Sequence, residues 1–239
     1  MTFSVAKRCC CGGKRYNEDN VGVTITSTGF LAALADGFGG HGCGAAASRI
    51  AIDSLSAGFS ACPSAQTGCV EALMLRVHHA VLARQTPQRR MKSTLVSLLC
   101  CTNGIAVAHA GDSRLYLFRN GRLVFQTIDH TVAQMAVFAG EIRSNDIRAY
   151  KDRNKVLRAV GMEGKFMAEV DHPVDKVREG DAFLLCSDGL WGLVNEDEMI
   201  VDLCKAEDPE AWLDSMLLRI GNRMDATGDN FSAVAVFAN

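Results

Sequence analysis

Five aspartates of this 239-residue chain stand where a turn meets an apolar run. Asp19 precedes Val21–Thr26. Asp36 ends Phe30–Ala35 and opens Asp36-Gly37-Phe38-Gly39-Gly40-His41-Gly42. Asp112 lies in Ala110-Gly111-Asp112-Ser113-Arg114. Asp188 follows Ala182–Ser187 and begins Asp188-Gly189-Leu190-Trp191. Asp229 lies in Gly228-Asp229-Asn230, just before Phe231–Phe237. Strand ends hold side chains rigidly, and glycines let backbone carbonyls approach a bound ion. Carboxylates gathered in this way repel one another unless cations neutralise them. An all-oxygen donor set suits Mg²⁺ or Mn²⁺ better than Zn²⁺. Each turn alone carries little weight, because Asp and Gly are ordinary turn residues.

The elements around these turns follow from periodicity. Val21–Thr26 and Phe30–Ala35, separated by Ser27-Thr28-Gly29, predict a hairpin. Ala47, Ile50, Ala51 and Leu55 recur at helical spacing, and so do Val70, Leu73, Met74, Val77 and Val81. Thr94–Cys101, Ile105–Ala110, Leu115–Arg119 and Leu123–Gln126 read as strands. Asn120-Gly121 is a hairpin signal, since both central residues of a type I′ turn need positive φ. Ala182–Ser187 reads as a buried strand, Glu196–Lys205 and Pro209–Met224 as helices, and Phe231–Phe237 as a closing strand. His130 to Arg158 is more polar, helical in pieces, and reads as a mobile insert. The grouping favours antiparallel sheets with packed helices over a βαβ repeat.

Composition narrows the function. At 48% hydrophobic and 22% charged residues the chain can bury a core, which excludes a disordered protein. A formal net charge of −2 lacks the basic excess of a nucleic-acid binder. No apolar run approaches the roughly 18 residues of a membrane span. No apolar core follows the basic N-terminal residues, so a cytoplasmic location is expected. The ten cysteines contain no Cys-x-x-Cys pair and mostly lie in apolar runs, as reduced small hydrophobes do. Cys9, Cys10 and Cys11 are consecutive and leave a redox or metal role open. His78, His79, His109, Trp191 and Trp212 read as packing or surface residues.

Taken in order, a series of short motifs runs through the chain. It comprises Asn17-Glu18-Asp19, Asp36-Gly37-Phe38-Gly39-Gly40-His41, Ser93-Thr94-Leu95, Gly111-Asp112-Ser113-Arg114, Asp129-His130-Thr131, Ser187-Asp188-Gly189-Leu190-Trp191 and Gly228-Asp229-Asn230. The stretch Arg153–Gly161 adds to it. The series resembles that of the metal-dependent Ser/Thr protein phosphatases of type 2C, in their compact bacterial form, from about residue 10 to the C-terminus. The resemblance implies one catalytic domain over residues 1–239 with a flap over residues 130–155. Its fold would be α+β, a four-layer α-β-β-α sandwich of two antiparallel sheets flanked by helix pairs.

The resemblance also implies a site. Asp36 would bridge two Mn²⁺ or Mg²⁺ ions, Asp188 and Asp229 would hold one of them, and the Gly37 carbonyl the other. Asp19, counted with the metal residues, and Glu18 would lie alongside and act through water, with His41 and Asn230 supporting them. Asp112 would bind a third, weaker ion. Water between two cations would become hydroxide near neutral pH and attack phosphorus in line, so no cysteine nucleophile is needed.

Three positions depart from the family's pattern. Lys14 stands where an arginine usually grips the substrate phosphate, with Arg15 next to it, and lysine is a point charge rather than a planar fork. Either Lys14 or Arg15 would bind phosphate and assist catalysis. Phe38 replaces a histidine of nuclear-encoded relatives. Gly192 stands where many relatives have an acidic residue. The expected function is hydrolysis of phosphoserine and phosphothreonine on proteins by a monomer that opposes a Ser/Thr kinase. A pseudophosphatase that only binds phosphoproteins is favoured by Lys14 and opposed by the intact aspartates. A two-metal hydrolase of small phosphate esters or nucleic acid is the third reading, its nucleic-acid form weakened by the near-neutral charge.

Overall fold

The computed structural model describes residues 1–39 and 43–239; His41 lies outside the described residues. Two antiparallel sheets pack face to face. The first contains β1 (Phe3–Cys10), β11 (Phe231–Ala238), β10 (Ala182–Cys186), β7 (Arg114–Arg119) and β8 (Arg122–Gln126), in that spatial order. The second contains β2 (Asp19–Ile25), β3 (Gly29–Phe38), β5 (Leu95–Cys101), β6 (Gly104–Ala110) and β9 (Glu169–Asp171), with the short β4 (Lys92–Ser93) paired to β3.

The strands alternate, as a period of two requires. Phe30, Ala32 and Leu34 face the other sheet, where they meet Leu115, Leu117, Phe183, Leu185, Val234 and Val236. Leu31, Ala33 and Ala35 face outward, against α1 (Cys43–Ala61) and α2 (Thr67–Leu82). On the opposite side Tyr116, Phe118, Leu184 and Ala235 lie under α5 (Glu196–Leu203) and α6 (Pro209–Arg223), with Trp212 fully buried between them. Strands covered on both faces read as unbroken apolar runs, which is why Phe30–Ala35 and Ala182–Cys186 lack polar alternation. The four-layer α-β-β-α sandwich is therefore present.

The polar stretch after His130 is tied down rather than detached. It forms α3 (Val132–Phe138) and a 3₁₀ turn at Ser144–Ala149. Thr131 caps α3 by accepting from the Gln134 amide. Arg148 donates to the Trp191 carbonyl at 2.8 Å and to Glu196 at 2.8 Å, and Ile147 is buried. Backbone bonds from Val132 to Lys155 and from Leu157 to His130 close both ends. The scarcity of apolar residues suggested mobility, but charged side chains do the anchoring.

One buried pair braces the end of the sandwich that carries the aspartates. Arg114 donates to both oxygens of Asp129, at 2.8 and 2.7 Å, and its guanidinium lies 3.6 Å from the centre of the Trp191 ring. The Trp191 indole N–H donates to the Asp112 carbonyl at 2.9 Å. Removing one partner of such a pair strands a buried charge. Asp129→Ala is expected to lower stability by about 3–5 kcal/mol in denaturant titration. A loss under about 1 kcal/mol would mean that the pair is solvated.

Candidate active site

The aspartates converge at one end of the sandwich. In the β2–β3 pairing Asp19 lies directly opposite Asp36. The backbone of Asp36 is held from the next strand: its amide donates to Thr94 Oγ1 at 3.0 Å, and its carbonyl accepts from Ser93 Oγ and the Thr94 amide. Thr94 Oγ1 in turn meets Ser113 Oγ at 2.7 Å, beside Asp112. The Ser93-Thr94 motif therefore fixes two of the acidic turns relative to each other.

The second sheet is joined to the first through Asp19. Its Oδ2 accepts from Ser187 Oγ at 2.9 Å, and Ser187 immediately precedes Asp188 at the start of the short helix α4 (Asp188–Trp191). Asn230 staples the loop before β2 to the Asp229 turn. Its Oδ1 accepts from the Glu18 amide at 2.8 Å, and its Nδ2 donates to the carbonyls of Cys11 and Tyr16. Glu18 faces helix α1, where Oε1 accepts from the Gly44 amide at 3.2 Å. A carboxylate there complements the helix N-terminus. Gly37 must be glycine for steric reasons: a Cβ there would stand 1.9 Å from the Gly44 carbonyl oxygen.

The carboxylates of this cluster repel one another more than the neighbouring cations compensate. Burial, and then the charges of Asp19, Asp188, Asp112 and Asp229, push Asp36 well above the usual carboxylate range. Burial, Asp188 and Asp129 do the same to Asp112. Asp19 and Asp188 are each pushed up to about 6, burial being the first cause and Asp229 adding to both. Asp19 Oδ1 is buried and, among the described residues, has no hydrogen-bond partner. A buried carboxylate oxygen without a donor is costly unless something cationic takes it. Repelling carboxylates, oxygen donors only, and this orphaned atom fit a divalent cation site.

The basic candidates lie on the rim. Lys14 Nζ is 3.6 Å from Asp229 Oδ1, both side chains half exposed. The Arg15 guanidinium lies 5.1 Å from the centre of the Tyr16 ring, at the surface. A cavity of about 300 Å³ opens beside Asp188 and Asp229 and is walled by Arg153, Gly192 and Arg223. Arg153 opens the motif stretch Arg153–Gly161, to which the sequence assigns no role in the site. A larger cavity of about 900 Å³ lies at the other end of the strands, among residues 25–30 and 100–105, and contains none of the clustered aspartates.

Two other constellations can be set aside. Cys9 and Arg15, and likewise Cys43 and Arg49, have the Cys-x5-Arg spacing of cysteine-dependent phosphatases. Cys9 lies within the strand β1, accepts from Asn17 Nδ2 at 3.2 Å, and has its thiol pushed up by burial. Cys43 and Arg49 both lie on α1. Neither pair forms an anion-binding loop. His109, His130 and Glu169 bring ligand atoms within 4.8 Å of one another. However, the Gly111 amide donates to His130 Nδ1, and Nε2 already lies 3.0 Å from both Glu169 Oε2 and Arg158 Nη1, so both ring nitrogens are engaged. No lone pair remains on that ring for a metal.

Comparison with known proteins agrees with this geometry. The sequence profile of protein phosphatase 2C matches residues 11–218. The serine/threonine phosphatase stp of Listeria welshimeri is 34% identical over 195 residues, which is 78% of this chain and 77% of that protein. The catalytic domain of the serine/threonine protein phosphatase PstP, solved with two manganese ions, superposes with a TM-score of 0.80 at 28% identity over 99% of each chain. PppA, described as a key regulatory component of T6SS in Pseudomonas aeruginosa, superposes with a TM-score of 0.77 at 28% identity over 100% of this chain and 99% of that one. This chain belongs to the protein phosphatase 2C family and is a serine/threonine protein phosphatase.

Proposed function

We propose that the protein releases phosphate from phosphoserine and phosphothreonine side chains of proteins by direct attack of water, with no phosphoenzyme. A Ser/Thr kinase must make such substrates, so the enzyme opposes a kinase. Residues 1–239 act as one catalytic domain, in a monomer, with residues 130–155 as the flap beside the cleft. The observation that carries this reading is the unpartnered, buried Oδ1 of Asp19 directly across from Asp36.

In this reading Asp36, Asp19, Asp188, Asp229 and the Gly37 carbonyl would hold two Mn²⁺ or Mg²⁺ ions. Asp112, close enough to Asp188 for the two to repel, would serve a third. Bound ions would supply Lewis acidity, acidifying water and drawing charge from the phosphoryl oxygens. The rest is positioning by this chain's own residues. Ser187 orients Asp19, Thr94 and Ser93 fix Asp36, and Asn230 sets the spacing between Glu18 and Asp229. Lys14 lies beside Asp229, where it can draw an anionic substrate toward the cluster.

The test is phosphate release from a phosphothreonine peptide, with Mn²⁺ and with chelator. Release that needs the metal, and a preference for phosphopeptides over nucleotides and DNA, is expected. No release from folded, Mn²⁺-binding protein across several phosphopeptides would leave the pseudophosphatase reading in place.

A further inference from the structure

The cavity beside Asp188 and Asp229 presents a guanidinium on its wall. It belongs to Arg153, on the segment that follows the 3₁₀ turn. Its Nη1 donates to the Arg148 carbonyl at 3.0 Å. Among the described residues no carboxylate forms an ion pair with it, although most arginines around the site are paired. Arg114 holds Asp129, Arg148 holds Glu196, and Arg223 holds Glu198. The guanidinium is near enough to Asp188 to favour its ionised form.

Gly192 makes room for it. A Cβ at position 192 would meet Arg153 Nη1 at 3.2 Å and Nη2 at 3.5 Å, and the Asp188 carbonyl oxygen at 2.7 Å. The missing side chain lets a planar, five-donor cation sit over the first turn of α4, against the cavity. The other cation beside these carboxylates is Lys14, which has no fork and already faces Asp229. An arginine gripping phosphate through two parallel N–H bonds supplies the geometry that a lysine cannot.

We propose that Arg153, admitted by Gly192, is a substrate-binding residue that grips the phosphoryl group of the phosphoprotein in the cavity beside Asp188 and Asp229. The assignment rests on the phosphatase reading above and adds a specific residue to it. Nη1 remains tethered to the Arg148 carbonyl, and the remaining N–H groups meet the phosphoryl oxygens. Lys14, beside Asp229, acts as a steering charge. The substrate phosphate thus meets two cations of unequal geometry.

The test uses the Mn²⁺-loaded protein with inorganic phosphate as probe, titrated by calorimetry, alongside Mn²⁺ titration of the metal-free protein. Arg153→Gln is expected to weaken phosphate binding by about ten- to a hundredfold, with Arg153→Lys intermediate and Mn²⁺ affinity unchanged or tighter. With a phosphothreonine peptide the same variants should raise KM or lower kcat/KM in that order. Phosphate binding by Arg153→Gln equal to wild type would overturn the proposal. Equal loss of phosphate and Mn²⁺ binding would also overturn it, because Arg153 would then be organising the carboxylates. Failure of wild type to hydrolyse any phosphopeptide would instead overturn the underlying phosphatase reading.

Discussion

Asp36→Asn is expected to abolish metal-dependent phosphate release while leaving the fold intact. Asp36 faces Asp19 across one strand pair and feels the charges of four other aspartates, so it lies at the centre of the cluster. The amide keeps the shape and removes one negative charge and one anionic donor. Its backbone bonds to Ser93 and Thr94 do not involve the side chain, so they persist. Relief of carboxylate repulsion should make the chelated variant at least as stable as chelated wild type. Activity should fall on the order of a thousandfold or more, equivalent to about 4 kcal/mol of barrier. The measurement is phosphate release from a phosphothreonine peptide at saturating Mn²⁺, paired with a melting temperature in chelator. Retention of more than a tenth of the activity would place the reaction centre away from Asp36. A lower melting temperature in chelator would show that Asp36 stabilises the fold through something other than a bound ion.

Much of this was legible in the sequence, for physical reasons that differ by element. The hairpin of β2 and β3 and the helices α1 and α2 announce themselves because their apolar periods are long and are bounded by turn residues. The strand β1 does not. It is an edge strand in which only Ala6 is fully buried, and Lys7 and Arg8 interrupt its pattern, so Phe3–Cys10 reads as a polar N-terminus. The strand β9, three residues long, has no room to show a period. In the site, the acidic turns are visible as motifs because Asp and Gly are needed there by type. The part of Glu18 is not, since its carboxylate meets the Gly44 amide 26 residues away. Arg153 is hidden for the same reason: its placement depends on what Gly192 lacks. Spacing can also mislead, as Cys9 and Arg15 show. Their separation matches a phosphate loop, while strand pairing puts Cys9 opposite Ser232 and spreads the two apart in role.

The same repulsion predicts an unusual pH dependence for the metal-free protein. Asp19 and Asp188 are raised from an ordinary 3.8 to about 6 by burial and by their neighbours, and Asp36 and Asp112 are pushed well above the usual carboxylate range. A carboxyl raised on folding binds its proton more tightly folded than unfolded. Its contribution to stability is complete below about pH 4 and is lost as pH climbs through about 6. For Asp19 alone, a shift of about two units is worth about 3 kcal/mol. His130 works the other way. Burial first, then His109, hold it down to about 4 against an ordinary 6.5, so acid removes stability there. Glu169 and Arg158, its other charged neighbours, change that balance only in part. The two effects separate if each pH is measured with and without metal, because His130 is common to both states. Mn²⁺ held as proposed would neutralise the aspartates, and would offset most where they are all ionised. The rise in melting temperature on adding saturating Mn²⁺ should therefore be larger at pH 8 than at pH 5, by about 6–12 °C for each 3 kcal/mol of repulsion relieved. A rise that is equal at the two pH values, or larger at pH 5, would mean that the aspartates are solvated in the folded chain, and that burial does not strain them toward a cation.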